Sequence, residues 1–322
     1  MTGLTCAGLA CAAGIDVGRD HLDFALAPQG IGGRVSNTAA GIARLLERLR
    51  GAGVARVALE AIGPYAEALL QALSAAGLAV GAVDPRRIKA WRTAEGRRAK
   101  TDRLDARLIA RFALLMPDIV RPVPDRESRA IRALSTRRRQ IVEMIASEKT
   151  RLKQALDPVI ADSHKSLIAQ LGDERSRIEA ELRARLCANE QRAQRLALLQ
   201  SAPGVGPAVA LTLMADLPEL DRLDRRALAS LAGLAPQISQ SGTAAPQAHI
   251  AGGRPCIRSA LYLAALSATR LERGYKRDYL AMRQAGKPAK VAIIAIARKL
   301  LVALAAMARN NRPWTTQHPQ QT

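Results

Sequence analysis

The 322-residue sequence predicts a mixed α/β domain followed by a helical half, and three observations carry that prediction. Residues 12–115 alternate short apolar, strand-like runs with stretches of helical apolar spacing. Residues 125–200 are long, charged and helical, and from about residue 201 the composition shifts to Ala, Gly and Leu. The order β-β-β-α-β-α-β-α of the first part describes a mixed sheet covered by helices. Aromatic residues make up only 2% of a chain that is 48% apolar, so its cores must be built from Ala, Leu, Val and Ile.

Element by element, "AAGIDVG" (12–18) and "HLDFALA" (21–27) predict a hairpin closed by Gly18, Arg19 and Asp20, with "GGRVSN" as a third short strand. A helix over 39–53 ends in glycines, and "VARVALEA" (54–61) reads as a strand. Residues 64–77 predict a helix with Pro at its start and Gly at its end, and 78–85 a strand stopped by Pro85. A further helix begins at about 101. Two charged helices then follow, separated by Pro158 and a short polar stretch. Apolar residues at 131, 134, 141, 145, 152 and 156 give them the narrow stripe of a helical hairpin or coiled coil. "SAPGVGPAVALTLMADL" predicts a Gly-rich turn entering a helix, "LASLAGLAP" the end of another, and "QISQSGTAAPQAHIAGGRP" a loop. Helices are predicted at 256–271 and 287–309, with a disordered tail. The domains expected from this pattern are 1–118 (sheet domain), 119–195 (helical connector and dimerisation segment), 196–312 (helical domain) and 313–322 (tail).

Charge narrows the function. With 49 Lys and Arg against 28 Asp and Glu, the chain carries +21, which opposes compaction unless a polyanion compensates it; nucleic acid is the expected partner. Cys6, Cys11, Cys187 and Cys256 form no C-x-x-C pair and the four histidines are dispersed, so neither a zinc site nor a disulfide framework is expected. A reducing cytoplasm fits best. The N-terminus lacks the basic start of a signal peptide. Residues 290–309 are interrupted by Arg298 and Lys299, and no membrane partner is expected.

"AKTDRLDARLIA" (99–110) concentrates the chemistry. At ~100° per residue, Asp105 falls among Leu108, Ile109 and Phe112, and Asp102 at the edge of that face. Arg103, Arg107 and Arg111 fall on another. Neither acid has a basic partner three or four residues ahead of it. Like charges facing a core call for a counter-charge, and a divalent cation with hard oxygen ligands is the natural one. Asp16 in "GIDVG" and Glu60 closing "VALE" are the further acids expected on that side. Asp20 and Asp23 are placed at a turn or on the far face, and Asp84 at a turn before Pro85. Together Asp16, Glu60, Asp102 and Asp105 could hold two Mg²⁺ ions about 4 Å apart for phosphodiester chemistry. Residues 86–111 frame them with ten Lys or Arg against three acids.

The second half offers fewer signals. "PGVG" (203–206) before an apolar helix suits a phosphate-binding turn through Gly204 and Gly206. In "SQSGT" (239–243), Ser241 and Ser239 are equal candidates for a hydroxyl reaching a phosphate. The expected nucleic-acid contacts are Arg86, Arg87, Lys89, Arg97, Arg98, Lys100, Gly204, Gly206, Arg254, Lys287 and Lys290.

These strings together resemble a known family. "GIDVGRD", "VALEAIGPY", "AKTDRLDARLIARF", "SAPGVGPAVALTLMADL", "QSG", "GGRPCIRSALYLAAL" and "GKPAKVAIIAIARKLL" are similar to the DEDD transposases of the bridge-RNA-guided, "one-ten" class of insertion sequences. The resemblance implies a RuvC-like, ribonuclease-H-type first domain and a C-terminal transposase domain. It maps the metal-binding acids onto Asp16, Glu60, Asp102 and Asp105, and a nucleophilic serine onto Ser241 rather than Ser239. It further implies donor and target DNA as substrates, a structured guide RNA, dimers assembling to a tetramer, and action in the bacterial cytoplasm on the nucleoid. The alternatives are a metal-dependent junction resolvase without serine chemistry, and a non-catalytic basic nucleic-acid-binding protein.

Overall fold

The computed structural model describes residues 11–60, 63–96, 102–116, 120–239, 247–272 and 274–315. The chain divides into two compact units, Met1–Pro124 and Asp125–Thr322.

The first unit is built on a six-stranded sheet of order β3-β2-β1-β4-β5-β6. β1 (Cys11–Val17), β2 (His21–Ala27) and β3 (Gly32–Ser36) form an antiparallel meander. β4 (Val54–Leu59) and β5 (Ala79–Ala82) continue it in parallel with β1, and β6 (Arg121–Pro122) closes the edge antiparallel to β5. The mixed sheet is the one the residue pattern predicts, and its order is the ribonuclease-H-type arrangement that the family resemblance implies. On one face, Ile15, Leu22, Phe24, Val57 and Leu59 pack with Leu45 and Leu49 of α1 (Ala39–Gly51) and Leu69 and Leu73 of α2 (Glu67–Ala75). The other face is lined by small residues, Ala12, Ala25, Ala27 and Ala58, and is covered by α4 (Asp102–Leu115) through Ala106, Ile109, Ala110 and Ala113.

Gly14 sets how closely α4 lies on the sheet. A Cβ placed there would fall 2.2 Å from the Ala110 nitrogen and 2.4 Å from the Ala106 oxygen, both backbone atoms that cannot turn aside. Only glycine lets the helix backbone rest on β1 at this point.

One helix of this unit is not foreseen. α3 (Pro85–Ala94) starts where the sequence suggests only the end of a strand. The Asp84 carboxylate accepts from the Arg86 amide at 2.8 Å, and Pro85 occupies the first turn. Proline there ends β5 and begins a helix at once.

In the second unit, α5 (Arg126–Leu152) and α6 (Pro158–Cys187) run as an antiparallel hairpin around Ile141, Ile145, Leu171 and Ile178, tied by Arg138 to Glu179 at 2.6 Å. The polar break expected after Pro158 is helical instead. Asp157 accepts from the amides of Val159 (2.8 Å) and Ile160 (3.2 Å), so Pro158 starts α6 rather than interrupting it. Leu156, expected in the apolar stripe, lies between the two helices and is fully exposed.

The hairpin is not a separable connector. Ile131, Leu182 and Leu186 join the same core as α7 (Glu190–Gln200), α8 (Pro207–Asp216), α9 (Arg225–Leu231), α10 (Pro255–Ala268) and α12 (Ala289–Asn310). α11 (Lys276–Gln284) is a further helix without a sequence forecast. In place of the expected loop, β7 (Pro236–Ser239) and β8 (Gln247–Ile250) form an antiparallel ladder. Arg298 and Lys299 do not break α12, which runs uninterrupted for 22 residues. It is long and apolar enough to cross a bilayer, but one side, including Leu300, Leu301 and Leu304, is fully buried in the core. Of the expected disordered tail, Trp314 packs edge-on against Tyr275 at 5.7 Å, and residues 316–322 lie outside the described residues.

Candidate active site

Strand register assigns the acids to a face. Residues directly opposite on an antiparallel ladder share a side, as do alternate residues along a strand. Gly14, two before Asp16, lies against α4, so Asp16 projects to the α4 side. Glu60 follows the last residue of β4 and continues the alternation from Ala58, which packs against α4. Asp16 and Glu60 are half-buried, and neither is free of interactions.

α4 presents the remaining acids. Leu108, Ile109 and Phe112 are buried while Arg107 and Arg111 are exposed, which is the division the helical wheel predicts. Asp105 is 4% exposed on the buried face. Asp102 opens the helix one turn earlier; its side chain lies outside the described residues. The sheet and α4 thus bring Asp16, Glu60 and Asp105 to one side of the domain.

Two features differ from the sequence reading. Asp105 does have a basic partner: Arg92 of α3, itself mostly buried, forms an ion pair and hydrogen bond with its carboxylate. Neighbour rules within a helix could not reveal a partner thirteen residues back on another helix. The signal was the Asp84–Pro85 helix start, which turns 85–94 into an element facing α4. Asp23 also lies on the α4 side, not the far one, because β2 places it directly opposite Asp16. It is 1% exposed, and Arg34 on β3 clasps it, Nε donating to Oδ1 at 3.0 Å and Nη2 to Oδ2 at 2.8 Å. Asp20 stays at the hairpin turn, exposed beside Arg19.

Among the described residues, no three His, Cys, Asp or Glu side chains stand close enough together to hold a metal ion. The donor chemistry nevertheless suits a hard divalent cation: carboxylate oxygens on one side of a sheet, with one of the acids buried.

The expected nucleic-acid contacts separate into several groups. Arg86, Arg87 and Lys89 are exposed on α3, as are Lys287 just before α12 and Lys290 in its first turn. Arg97, Arg98, Lys100 and Ser241 lie outside the described residues. Arg254 is diverted from phosphate contact: its guanidinium donates to both Glu219 carboxylate oxygens at 2.6 and 2.7 Å and to the Asp216 carbonyl at 2.6 Å. Gly204 adopts a left-handed φ of 78°, and a Cβ there would meet the Ala264 oxygen at 2.1 Å, so α10 already requires a glycine at this position. Gly206 is exposed and caps α8 without a side-chain bond.

Comparison with known proteins decides the family. The DEDD transposase profile of the IS110 type matches residues 13–160, and the "Transposase IS116/IS110/IS902 family" profile matches residues 196–280. The pilin gene-inverting protein of Moraxella bovis is 31% identical over 262 residues, which is 80% of each chain. The chain belongs to the IS110 family of DEDD transposases. The pilin gene-inverting protein of Moraxella lacunata matches to the same extent. An insertion element IS110 protein of 43.6 kDa from Streptomyces coelicolor is 27% identical, over 56% of this chain and 49% of its own length. Among solved structures, T. thermophilus RuvC in complex with Holliday junction substrate aligns with 35% of this chain and 99% of its own, at 23% identity and a TM-score of 0.28. The ribonuclease-H-type assignment rests on the strand order, independently of that alignment. As an IS110-family transposase, the protein is a DNA recombinase, and its DEDD class is a divalent-metal nuclease class.

Proposed function

We propose that this transposase cuts and rejoins DNA through two contributions, a carboxylate site formed by Asp16, Glu60, Asp102 and Asp105 and a nucleophilic Ser241. A structured guide RNA would select donor and target. The observation that supports the reading is that Asp16, Glu60 and Asp105 all belong to the α4 side of the sheet. A divalent cation such as Mg²⁺, held there by the carboxylates, would supply Lewis-acid polarisation of the scissile phosphodiester. Arg92 now meets the charge requirement of Asp105, so it and a cation compete for one carboxylate.

The residues divide the chemistry as follows. In this reading the sheet would supply Asp16 from β1 and Glu60 from just after the adjacent parallel β4, and α4 would supply Asp102 and Asp105. The Ser241 hydroxyl attacks phosphorus: an Oγ–P bond forms, one P–O bond to a deoxyribose breaks, the serine proton leaves, and the departing sugar oxygen takes up a proton. One ester replaces another, so a sugar hydroxyl on a different strand can reverse the step and join strands without an energy source. Exposed apolar residues at the tip of the α5–α6 hairpin, Leu156, Val159 and Ile160, favour association of copies into dimers and tetramers.

The test is a denaturing gel of protein with labelled donor DNA and its guide RNA. Wild type forms a covalent protein–DNA adduct; Ser241→Ala forms none and does not recombine, and Asp105→Asn does not recombine but still binds RNA. Cleavage without an adduct would move the assignment to a junction-resolving nuclease.

A further inference from the structure

The second unit contains a large groove that the carboxylate and serine chemistry does not use. It has a volume of ≈ 3020 Å³ and runs along α12, between α11, α9 and the stretch from Arg312 to Thr315. Nine Lys or Arg line it against three acids. All three acids are committed: Glu272 to Lys276, Asp278 to Lys299 at 2.7 Å, and Asp224 to the amides that cap α9. Arg309 spends its guanidinium on the carbonyls of Asp221 and Leu223. Of the cations left, Arg277, Lys290 and Arg298 make no side-chain hydrogen bond or ion pair among the described residues.

The floor between these cations is apolar. Val291, Ile294 and Val302 of α12 line it, and Val291 is 53% exposed. Three of the chain's eight aromatic residues (Tyr262, Tyr275 and Trp314) also line it, a concentration that matters in so aromatic-poor a sequence. Burial, and secondarily Asp278, pushes the Tyr275 phenol up, so it faces the groove as a neutral ring. Duplex DNA shows its phosphates outward and would need only the cations. Cations flanking apolar and aromatic surface match a strand whose bases are unpaired.

A recombinase that exchanges one strand at a time has use for such a cradle, because each cut strand leaves one duplex before pairing in another. We infer that this groove is a cradle for unpaired DNA, with Arg277, Lys290 and Arg298 on the phosphates and the α12 floor under the bases. The groove reaches Pro236, His249 and Ile250 of the β7–β8 ladder, the element whose connecting segment carries Ser241. The inference rests on the chain being a DNA recombinase and needs neither the metal nor the serine assignment.

Fluorescence anisotropy of the full chain in EDTA tests it, with labelled oligothymidylate about twenty nucleotides long, a duplex and an oligouridylate of the same length. Combining Arg277→Ala, Lys290→Ala and Arg298→Ala is expected to weaken oligothymidylate binding about tenfold. It should also lower the salt slope, d log K/d log[salt], by about 2, as for three single-strand phosphate contacts. Duplex binding should change by less than about threefold, in proportion to general charge loss. Val291→Gln, an exposed change that keeps the charge, is expected to weaken single-strand binding several-fold with the slope unaltered. An equal loss for duplex, unchanged oligothymidylate binding at a wild-type melting midpoint, or wild-type preference for oligouridylate would each overturn the assignment. Binding in EDTA does not depend on the carboxylate chemistry, so failure of that site would leave this result intact.

Discussion

On the α4 side of the sheet, charges are buried and matched: Arg34 clasps Asp23 and Arg92 holds Asp105, each acid at most 4% exposed. Along the α12 groove, Arg277, Lys290 and Arg298 make no side-chain hydrogen bond or ion pair among the described residues, while every acid is taken. Matched buried charges hold geometry, and removing one partner leaves the other stranded in a poor solvent. Unmatched surface cations contribute little to folding and remain available to a polyanion. Mutations should therefore cost stability in the first unit and binding in the second.

The largest expected effect tests the seat of α4. Gly14→Val forces a side chain into the Ala106 and Ala110 backbone, and overpacking against atoms that cannot rotate away should cost roughly 4 kcal/mol in urea unfolding. A cost near zero would mean that α4 does not rest on β1. Next comes Arg92→Ala, which strands the Asp105 carboxylate and should cost about 3 kcal/mol. In an Asp105→Asn background the same change should cost well under half as much, and that double-mutant cycle separates the ion pair from lost packing.

The second unit also contains a buried polar link between two helices, and it gives the intermediate case. Ser135 on α5 donates to Asp216 on α8 at 2.7 Å, and Ser135→Ala should cost about 1–2 kcal/mol. The smallest effect concerns helix caps on that unit. The Ser128 amide, then its hydroxyl, holds the Asp125 carboxyl below its ordinary value, and the amides of Ala227 and Arg226 do the same for Asp224. A depressed carboxyl stabilises the fold above its unfolded value, and that contribution drains away as pH falls through the folded one. Melting midpoints should thus decline below about pH 4, and more shallowly once both are changed to Asn.

Much of the first unit was legible because its strands and helices announce themselves by period and by punctuating Gly and Pro. The α4 wheel placed Asp105 correctly, since a single helix carries that information. What escaped was information held by pairs of elements. The register of β1 with β2 decides the side of Asp23, and no pattern within β2 encodes it. The partner of Asp105 comes from α3, hidden while Pro85 read as a stop and not as a start. Pro158 misled in the same way. β7 and β8, four residues each, are too short for their alternation to stand out.

The central claim is that the acids beneath α4 form one cation site, and binding of Mn²⁺ to the free protein tests it most directly. Titration calorimetry should show binding to wild type, loss of it in Asp16→Asn and in Asp105→Asn, and tighter binding in Arg92→Gln, where the competing guanidinium is gone. Undiminished Mn²⁺ affinity in both Asp→Asn variants would contradict the account.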